Sequence, residues 1–410
     1  MEDALERNAP DGEAPTTAVP PRLGVQPVPP APVFEPQTQA PQAPPPAQIA
    51  PPALAAPKPY TPPTRNTEPA DPAPETAGEP ASPAPATPGA APAAPAVADA
   101  RAANASMARL SMEDVNAATF ISGGDAKRGA TPLHLKAQIL LDRAGASPGV
   151  IDGVFGGNVA KAIAAVETVL GLPIDGQLDS DVWAALGGDA APPVLVEYVI
   201  TAEDASYPFL PAIPPDYVDQ AKLPSLNFTS PEEMFGERFH MDVELLTALN
   251  PNVDMRQTGN VILVADVVGQ PVTGKIAHIE ADKRSRQVRA FDAQNRLVVA
   301  YPATIGSAAT PSPSGTHQVN AIADEPVYYY NPDNFAQKKS SERLELPPGP
   351  NNPVGTMWID LSQDGYGIHG TPEPSRIDKT ASSGCIRLTN WDAEELATLV
   401  EAGITVTFVE

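Results

Sequence analysis

Two residues of this 410-residue chain could form a nucleophilic pair: Cys385, the only cysteine, and His369 upstream of it. An imidazole beside a thiol can take its proton, and the resulting thiolate attacks carbonyl carbons where a thiol does not. A lone cysteine more often behaves as a small buried apolar residue. The surroundings favour the nucleophile, because Ser382, Ser383 and Gly384 form a small-residue turn whose backbone N–H groups can serve as an oxyanion hole.

The sequence around this pair resembles the signature of the L,D-transpeptidase family with a YkuD-type catalytic domain. Residues 368–390 read IHGTPEPSRIDKTASSGCIRLTN, and the family has an H-G-T motif followed by S-x-G-C-I-R-L. Residues 305–316 resemble its glycine and T-P-x-G segment, residues 346–355 its P-G-P-x-N-P-V-G segment, and residues 402–406 its closing G-T-x-V strand. Many members have histidine where this chain has Ser383, so a second imidazole is missing here.

The resemblance implies acyl transfer on wall peptides, with no metal or organic cofactor. Cys385 would form a thioester, and His369 would take the thiol proton and return it to the leaving amine. The backbone carbonyl of Gly370 is predicted to orient His369, since an imidazole base needs a fixed tautomer. Backbone N–H groups of Gly384 and Cys385 are predicted to hold the oxyanion.

Three further residues are candidate substrate contacts: Arg387, Ser383 and Tyr329. Arg387 could clamp a substrate carboxylate, and an ion pair with Asp378 or Asp392 is its structural alternative. Tyr329 belongs to three consecutive tyrosines, of which at least one must be exposed because a strand alternates its sides. We expect a lid over the site there, with an ordinary surface tyrosine as the alternative.

The motifs leave the fate of the thioester open. An amine acceptor would form a cross-link between peptide stems or attach an outer-membrane protein to the wall. Water would instead make the protein a carboxypeptidase or a peptidase that cuts wall-linked proteins. A peptidoglycan-binding scaffold with an inactive catalytic domain is the third alternative.

The start of the chain, residues 1–109, is predicted to be a disordered tether. Its first hundred residues hold more than half of the 52 prolines and show no apolar period. No signal peptide is visible after Met1, and no run of about 18 apolar residues could span a bilayer. Because a wall enzyme must reach the wall, we expect an export segment before the given Met1 and a location in the periplasm or cell envelope.

Charge and cysteine content restrict the partners. A formal net charge of −24 argues against nucleic acid and anionic membrane surfaces. One cysteine excludes an intrachain disulfide, which fits an oxidising compartment where a reactive thiol must stay free. The expected partners are peptidoglycan stem peptides and glycan strands.

Two small modules are predicted before the catalytic domain. Residues 110–190 carry helical apolar stripes separated by two I-D-G loops, and they resemble the three-helix peptidoglycan-binding module common beside wall enzymes. Residues 194–268 read as strand, helix, helix, strand and are similar to a LysM-type glycan-binding module. The insertion at residues 205–226 is long for that family, and His240 is expected to cap or pack rather than bind metal.

The remaining residues, 274–410, are predicted to form the catalytic domain. Short, partly alternating strands are expected near residues 276–281, 287–291, 297–305 and 317–322. This pattern is typical of a sandwich or a closed sheet. The resemblance implies the mostly-β L,D-transpeptidase fold, so the expected fold class is multidomain, with a disordered start, a three-helix module, a small α+β module and a mostly-β catalytic domain.

Overall fold

The computed structural model describes residues 106–107, 109–121, 129–269, 275–306, 310–332, 339–380, 382 and 384–410. The tether predicted for residues 1–109 lies outside this part, apart from residues 106, 107 and 109. Within the described ranges, no helix is both long enough and apolar enough to cross a membrane.

The first module is helical. Its described helices are α1 at Met112–Asn116, α2 at Pro132–Arg143, α3 at Gly157–Leu170 and α4 at Ser180–Ala185. Helix α2 begins after Thr131, whose side chain accepts a hydrogen bond from the N–H of His134, with Pro132 at the first helical position. The apolar stripes that predicted α2, α3 and α4 form a shared core that includes Ala137, Leu140, Val159, Ile163 and Val182.

The middle module has the predicted order of strand, helix, helix and strand, with two short helices added. Its elements are β1 at Leu195–Val199, α5 at Ala202–Ala205, α6 at Tyr217–Gln220, α7 at Pro231–Arg238, α8 at Val243–Leu249 and β2 at Val261–Ala265. Strands β1 and β2 pair antiparallel, with Leu195 opposite Ala265. Ser230 caps α7 as predicted, because its hydroxyl accepts the N–H of Glu233 at 3.2 Å.

The domain predicted to be catalytic, residues 274–410, is mostly β in the part that the structure describes. Its strands are β3 at Ile276–Asp282, β4 at Gln287–Asp292, β5 at Leu297–Pro302, β6 at Thr304–Ile305, β7 at Gly315–Asp324, β8 at Tyr328–Tyr330, β9 at Leu344–Leu346, β10 at Met357–Leu361, β11 at Gly367–His369, β12 at Ile386–Arg387 and β13 at Thr405–Val409. Its described helices are α9 at Asn390–Leu399 and a 3-10 turn at Pro374–Arg376. Three of the four strands predicted from the sequence are confirmed in place, whereas the strand predicted at residues 297–305 is divided by Ala303 into β5 and β6.

One sheet dominates this domain. Its described strands follow the order β5-β4-β3-β13-β7-β10-β11-β12-β6, while β8 and β9 form a separate hairpin. The two ends of the sheet, β5 and β6, are consecutive in the chain and separated only by Ala303. The sheet is therefore barrel-like, because one continuous stretch of chain joins its two edges. Buried Ile279, Ile359, Ile368 and Leu396 belong to the core between the sheet and α9.

The middle module contacts the loop that precedes β10. Leu226 at the end of the 205–226 insertion donates its N–H to the carbonyl of Pro348 at 2.8 Å and accepts the N–H of Asn351 at 2.9 Å. Gly349 has a φ of +136°, and a Cβ there would lie 2.5 Å from the carbonyl oxygen of Leu226. Glycine is required at this position because the two backbones approach so closely.

Candidate active site

The parallel pairing of β11 with β12 brings the site residues together. Ile368 lies opposite Ile386, and His369 lies opposite Arg387. Paired residues of parallel strands point to the same face, and so do residues two apart along one strand. His369 and Arg387 therefore share a face, and Cys385 immediately precedes β12, two residues before Arg387. The register brings the segments that carry His369 and Cys385 to neighbouring strands.

The turn before Cys385 is held in one shape by side-chain hydrogen bonds. Ser382 donates its hydroxyl to the carbonyl of Cys385 at 2.6 Å and accepts the N–H of Gly306 at 2.8 Å. Ser312 donates to the carbonyl of Gly384 at 2.7 Å. Gly384 has a φ of +109°, and a Cβ on it would lie 2.6 Å from the ring of Tyr366. Only glycine fits both the backbone conformation and the space.

The predicted oxyanion donor at Gly384 is engaged inside this turn. Its N–H lies 3.3 Å from the hydroxyl of Ser382, a long hydrogen bond. A role in binding an oxyanion therefore requires this N–H to exchange that partner for substrate, and the role stays a prediction. Ser383, the predicted substrate contact beside it, lies outside the described residues.

His369 is buried, with 5% of its surface exposed, and its ring is fixed on two sides. Its Nδ1 lies 2.7 Å from the carbonyl oxygen of Gly370, so Nδ1–H donates and Nε2 is left as the acceptor. The ring of Trp358 stacks on it at 5.6 Å between centroids. A Cβ on Gly367 would lie 2.6 Å from the Trp358 ring, so this glycine leaves room for the indole.

The resting pair is uncharged. Burial lowers the pKa of His369 to about 3, and the guanidinium of Arg387 adds to this effect. Burial raises the pKa of Cys385, while a backbone hydrogen bond from Gly367 and the charge of Arg387 act in the opposite direction. The thiol lies 3.8 Å from the carbonyl oxygen of Gly365. A neutral imidazole can accept the thiol proton during attack. The two residues then need not form a thiolate–imidazolium pair beforehand.

Among the described residues, Arg387 has no carboxylate within ion-pair distance, so neither alternative pairing, with Asp378 or with Asp392, is present there. Asp378 instead binds Lys161 at 2.7 Å and Arg286 at 3.2 Å. The buried Nε of Arg387 has no hydrogen-bond partner in this part of the chain. A guanidinium in this state near the nucleophile is available to a substrate carboxylate.

The tyrosine hairpin corrects one predicted contact. Tyr329 is 70% exposed, whereas Tyr330 is only 2% exposed, so the strand alternation places Tyr328 with Tyr330 on the inner side. Burial raises the pKa of Tyr328, and its neighbours Tyr217 and Cys385 add to the rise. The ring near the nucleophile is therefore Tyr328, and Tyr329 lies on the outer side of the hairpin.

Two residues of the site were missed by sequence reasoning. Trp358 lies in β10 between the buried residues Met357 and Ile359, so it is on the outward side of the strand. A large aromatic residue on the outward side of a strand is a usable signal of a functional site. Tyr217 comes from the middle module and packs edge-on against Tyr330 at 5.2 Å. Its contact joins distant parts of the chain, so no local pattern indicates it.

Family models match two parts of the chain. Residues 276–409 match the model of the YkuD L,D-transpeptidase catalytic domain. By this match, residues 276–409 are an L,D-transpeptidase catalytic domain. Residues 134–186 match the model described as "Putative peptidoglycan binding domain", which lies within the helical module before the transpeptidase domain.

Individual relatives cover parts of the chain. "Putative L,D-transpeptidase YkuD" of Bacillus licheniformis is 33% identical over 128 residues, which are 31% of this chain and 62% of the relative. The Bacillus subtilis protein with the same name is 28% identical over 169 residues, 41% of this chain and 87% of the relative. The chain thus spans less than two thirds of the Bacillus licheniformis relative.

A structural similarity covers the transpeptidase region less closely. An L,D-transpeptidase from Mycobacterium smegmatis superposes on 37% of this chain and 66% of its own length, with 19% identity and a TM-score of 0.27. That score is too low to establish a shared fold.

In the part of the chain that the structure describes, no group of three or more histidine, cysteine, aspartate or glutamate side chains is arranged to hold a metal ion.

Proposed function

We propose that the protein is a cysteine-dependent L,D-transpeptidase that acts on the tetrapeptide stems of peptidoglycan. The observation that carries the proposal is the parallel register of β11 and β12, in which His369 lies opposite Arg387, two residues after Cys385. The hydrogen bond from His369 Nδ1 to the Gly370 carbonyl supports it, because it leaves Nε2 free to accept a proton.

The first half-reaction forms a thioester. Sγ of Cys385 attacks the carbonyl carbon between diaminopimelate and the terminal D-Ala, and the thiol proton passes to Nε2 of His369. The tetrahedral intermediate collapses, its bond to nitrogen breaks, and the same proton moves from His369 to the leaving amine. Backbone N–H groups at Gly384 and Cys385 hold the oxyanion, each worth about 3 kcal/mol in comparable acyl-transfer enzymes.

The second half-reaction transfers the acyl group to an amine. The acceptor nitrogen attacks the thioester, His369 takes its proton, and the thiol of Cys385 is restored. An amine on a second stem gives a 3-3 cross-link, which would support cell-wall formation and cell shape. An amine on an outer-membrane protein would attach that protein to the wall, and water would give only a shortened stem.

Substrate contacts are assigned to Arg387 and Tyr328. The guanidinium of Arg387 would clamp a stem carboxylate, and Tyr328 would form the wall of the cleft nearest Cys385. Tyr328→Ala should raise the KM for the stem, whereas Tyr329→Ala, on the outer side of the same hairpin, should leave KM unchanged. Equal KM changes in the two variants would remove the assignment of Tyr328.

The two modules before the catalytic domain would hold the enzyme on its substrate. The helical module would bind peptidoglycan, and the middle module, residues 194–268, would bind glycan as a LysM-like domain. Its strand, helix, helix, strand order and its antiparallel β1–β2 pair support this assignment. The site of action is then the cell envelope, in the periplasm where peptidoglycan lies.

Incubation with a disaccharide-tetrapeptide tests the function. Mass spectrometry should show a cross-linked dimer and free D-Ala with the native chain and neither with Cys385→Ala. Shortened stem without dimer would indicate hydrolysis or another acceptor, such as a protein amine. Unchanged substrate with both proteins would contradict the transpeptidase proposal and favour the scaffold.

A further inference from the structure

The side chain of Asn390 lies directly behind the histidine loop. It is 1% exposed and stands at the start of α9, five residues after the nucleophile Cys385. Its Oδ1 accepts the N–H of Thr371 at 2.9 Å and the N–H of Thr356 at 3.3 Å. These contacts join the start of α9 to the loop that follows His369 and to the loop that leads into β10.

One peptide group connects Asn390 with His369. The carbonyl of Gly370 accepts Nδ1–H of His369 at 2.7 Å, and the N–H of the same peptide group belongs to Thr371, which donates to Asn390. Because a peptide group is planar, fixing its N–H also fixes the direction of its carbonyl. The orientation and tautomer of the imidazole therefore depend on the side chain of Asn390.

The space around Asn390 leaves it little freedom. A Cβ on Gly355 would lie 2.0 Å from its Oδ1, and a Cβ on Gly370 would lie 2.2 Å from the same atom. Two glycines thus make the slot that admits the amide. The main alternative orientation of a side chain in so narrow a slot is a turn of its amide, which exchanges the oxygen and the nitrogen.

That exchange is opposed by the middle module. Glu237 on α7 accepts Nδ2–H of Asn390 with both oxygens, at 3.1 Å and 2.9 Å, and Pro350 offers its carbonyl at 3.3 Å. The neighbours of Nδ2 are oxygen atoms, and both neighbours of Oδ1 are N–H groups. A flipped amide would turn its N–H groups toward the N–H groups of Thr371 and Thr356 and its oxygen toward the carbonyl of Pro350, and each mismatch is costly in a buried site.

We propose that Glu237 is a positioning residue for His369, acting from the middle module through Asn390 and the Gly370–Thr371 peptide group. The middle module then completes the catalytic site in addition to any glycan binding. The kinetic part of this proposal rests on the proposed transpeptidase function. Its structural part does not, because the state of the His369 ring can be measured without substrate.

The test compares three variants of the full chain with the native protein. Glu237→Met keeps the buried volume and removes the acceptor, while Glu237→Gln keeps an acceptor oxygen. Burial raises the pKa of Glu237 to about 8, so glutamine also matches its charge near neutral pH. Glu233→Met is the matched control, since Glu233 lies one turn earlier on α7 and binds Asn351 at 2.6 Å without touching the histidine loop.

The first readout is the tautomer of His369. Nitrogen-15 NMR distinguishes Nδ1–H from Nε2–H, and the chain has only five histidines, so a His369→Gln spectrum assigns the signal. We expect the native chain to hold the Nδ1–H tautomer, Glu237→Met to mix the two, and Glu237→Gln and Glu233→Met to resemble the native chain. A native chain with Nε2–H would overturn the proposal whether or not any variant folds.

The second readout is kinetic. Glu237→Met should lower kcat about tenfold, the effect of one lost hydrogen bond on the barrier, with KM changed less than about twofold. Glu237→Gln should recover most of kcat, and Glu233→Met should leave it near the native value. Native kcat in Glu237→Met, or an equal loss in Glu233→Met, would contradict positioning. A native chain without any D-Ala release would refute the proposed function and leave the tautomer test standing.

Discussion

His369 and Arg387 stand directly opposite each other on the parallel strands β11 and β12. The guanidinium helps burial to keep the imidazole uncharged, since burial lowers the pKa of His369 to about 3 and Arg387 lowers it further. The same guanidinium favours the thiolate of Cys385, against the effect of burial on that pKa. One arginine thus assists both the base and the nucleophile.

Arg387 should control substrate binding. Replacing it by glutamine removes a charged hydrogen-bond donor, worth about 1.5–3 kcal/mol to a carboxylate, so KM for the stem should rise at least tenfold. Arg387→Lys should recover part of the lost affinity, because lysine keeps the positive charge but lacks the two parallel N–H donors of the guanidinium. Steady-state kinetics on the tetrapeptide measures both, and a native KM in Arg387→Gln would refute the carboxylate clamp.

The thiol of Cys385 should titrate at high pH. Burial raises its pKa, so alkylation by iodoacetamide should have its inflection at a higher pH than free cysteine measured alongside. The imidazole is already neutral from about pH 3 upward, so no inflection from His369 is expected near pH 6.5. An alkylation rate that is flat from pH 5 to 8 and already high would instead show a standing thiolate–imidazolium pair.

Gly384 should not tolerate a side chain. With a φ of +109° and the Tyr366 ring 2.6 Å from a Cβ, Gly384→Ala must shift the turn that carries Cys385. The strain is of the order of 1–3 kcal/mol, and we expect at least a hundredfold loss of D-Ala release. Gly157→Ala is the control, since a Cβ there meets nothing within 4 Å. Near-native activity in Gly384→Ala would show that the turn is not rigid.

The junction between α2 and α9 should weaken as pH rises. Burial and the nearby Asp142 raise the pKa of Asp392 to about 8, whereas an aspartate in the unfolded chain titrates near 4. Between these values the folded chain binds more protons than the unfolded chain, so the free energy of unfolding falls with rising pH. His240, bonded to Asp142 at 3.0 Å, has a raised pKa and acts in the same direction, since its contribution is lost above that pKa.

Thermal melts from pH 5 to 9 measure this effect. The Tm of the native chain should fall over the range, and Asp392→Asn should flatten the fall because asparagine does not titrate. Asp219→Asn, at an exposed position, should keep the native dependence. A native Tm that rises across the range would contradict the raised pKa of Asp392.

The local parts of the fold could be predicted from the sequence. Helical stripes, the serine cap of α7 and the alternating strands depend on neighbours in the chain, so their positions follow from pattern alone. Cys385 and His369 could be identified because reactive residue types stand in short motifs. Their juxtaposition depends on the register of β11 and β12, which no local pattern fixes.

The long-range contacts could not be predicted. The 205–226 insertion reads as an unexplained extension of the middle module, yet its Leu226 and Tyr217 pack on the loop before β10 and on the tyrosine hairpin. Glu237 reads as one acidic residue among several on a capped helix, and only the tertiary fold brings it to Asn390. Tyr329 is the predicted contact, whereas the ring near Cys385 is Tyr328, because alternation fixes the period of a strand without fixing which side faces inward.

The central claim is that Cys385 carries an acyl group during turnover, and intact-protein mass spectrometry measures it most directly. The native chain, mixed with disaccharide-tetrapeptide and quenched rapidly with acid, should gain the mass of one disaccharide-tripeptide acyl group and release D-Ala. Cys385→Ala should show neither change. Release of D-Ala by Cys385→Ala, or its release by the native chain with no adduct on Cys385 even after rapid acid quenching, would contradict the thioester mechanism.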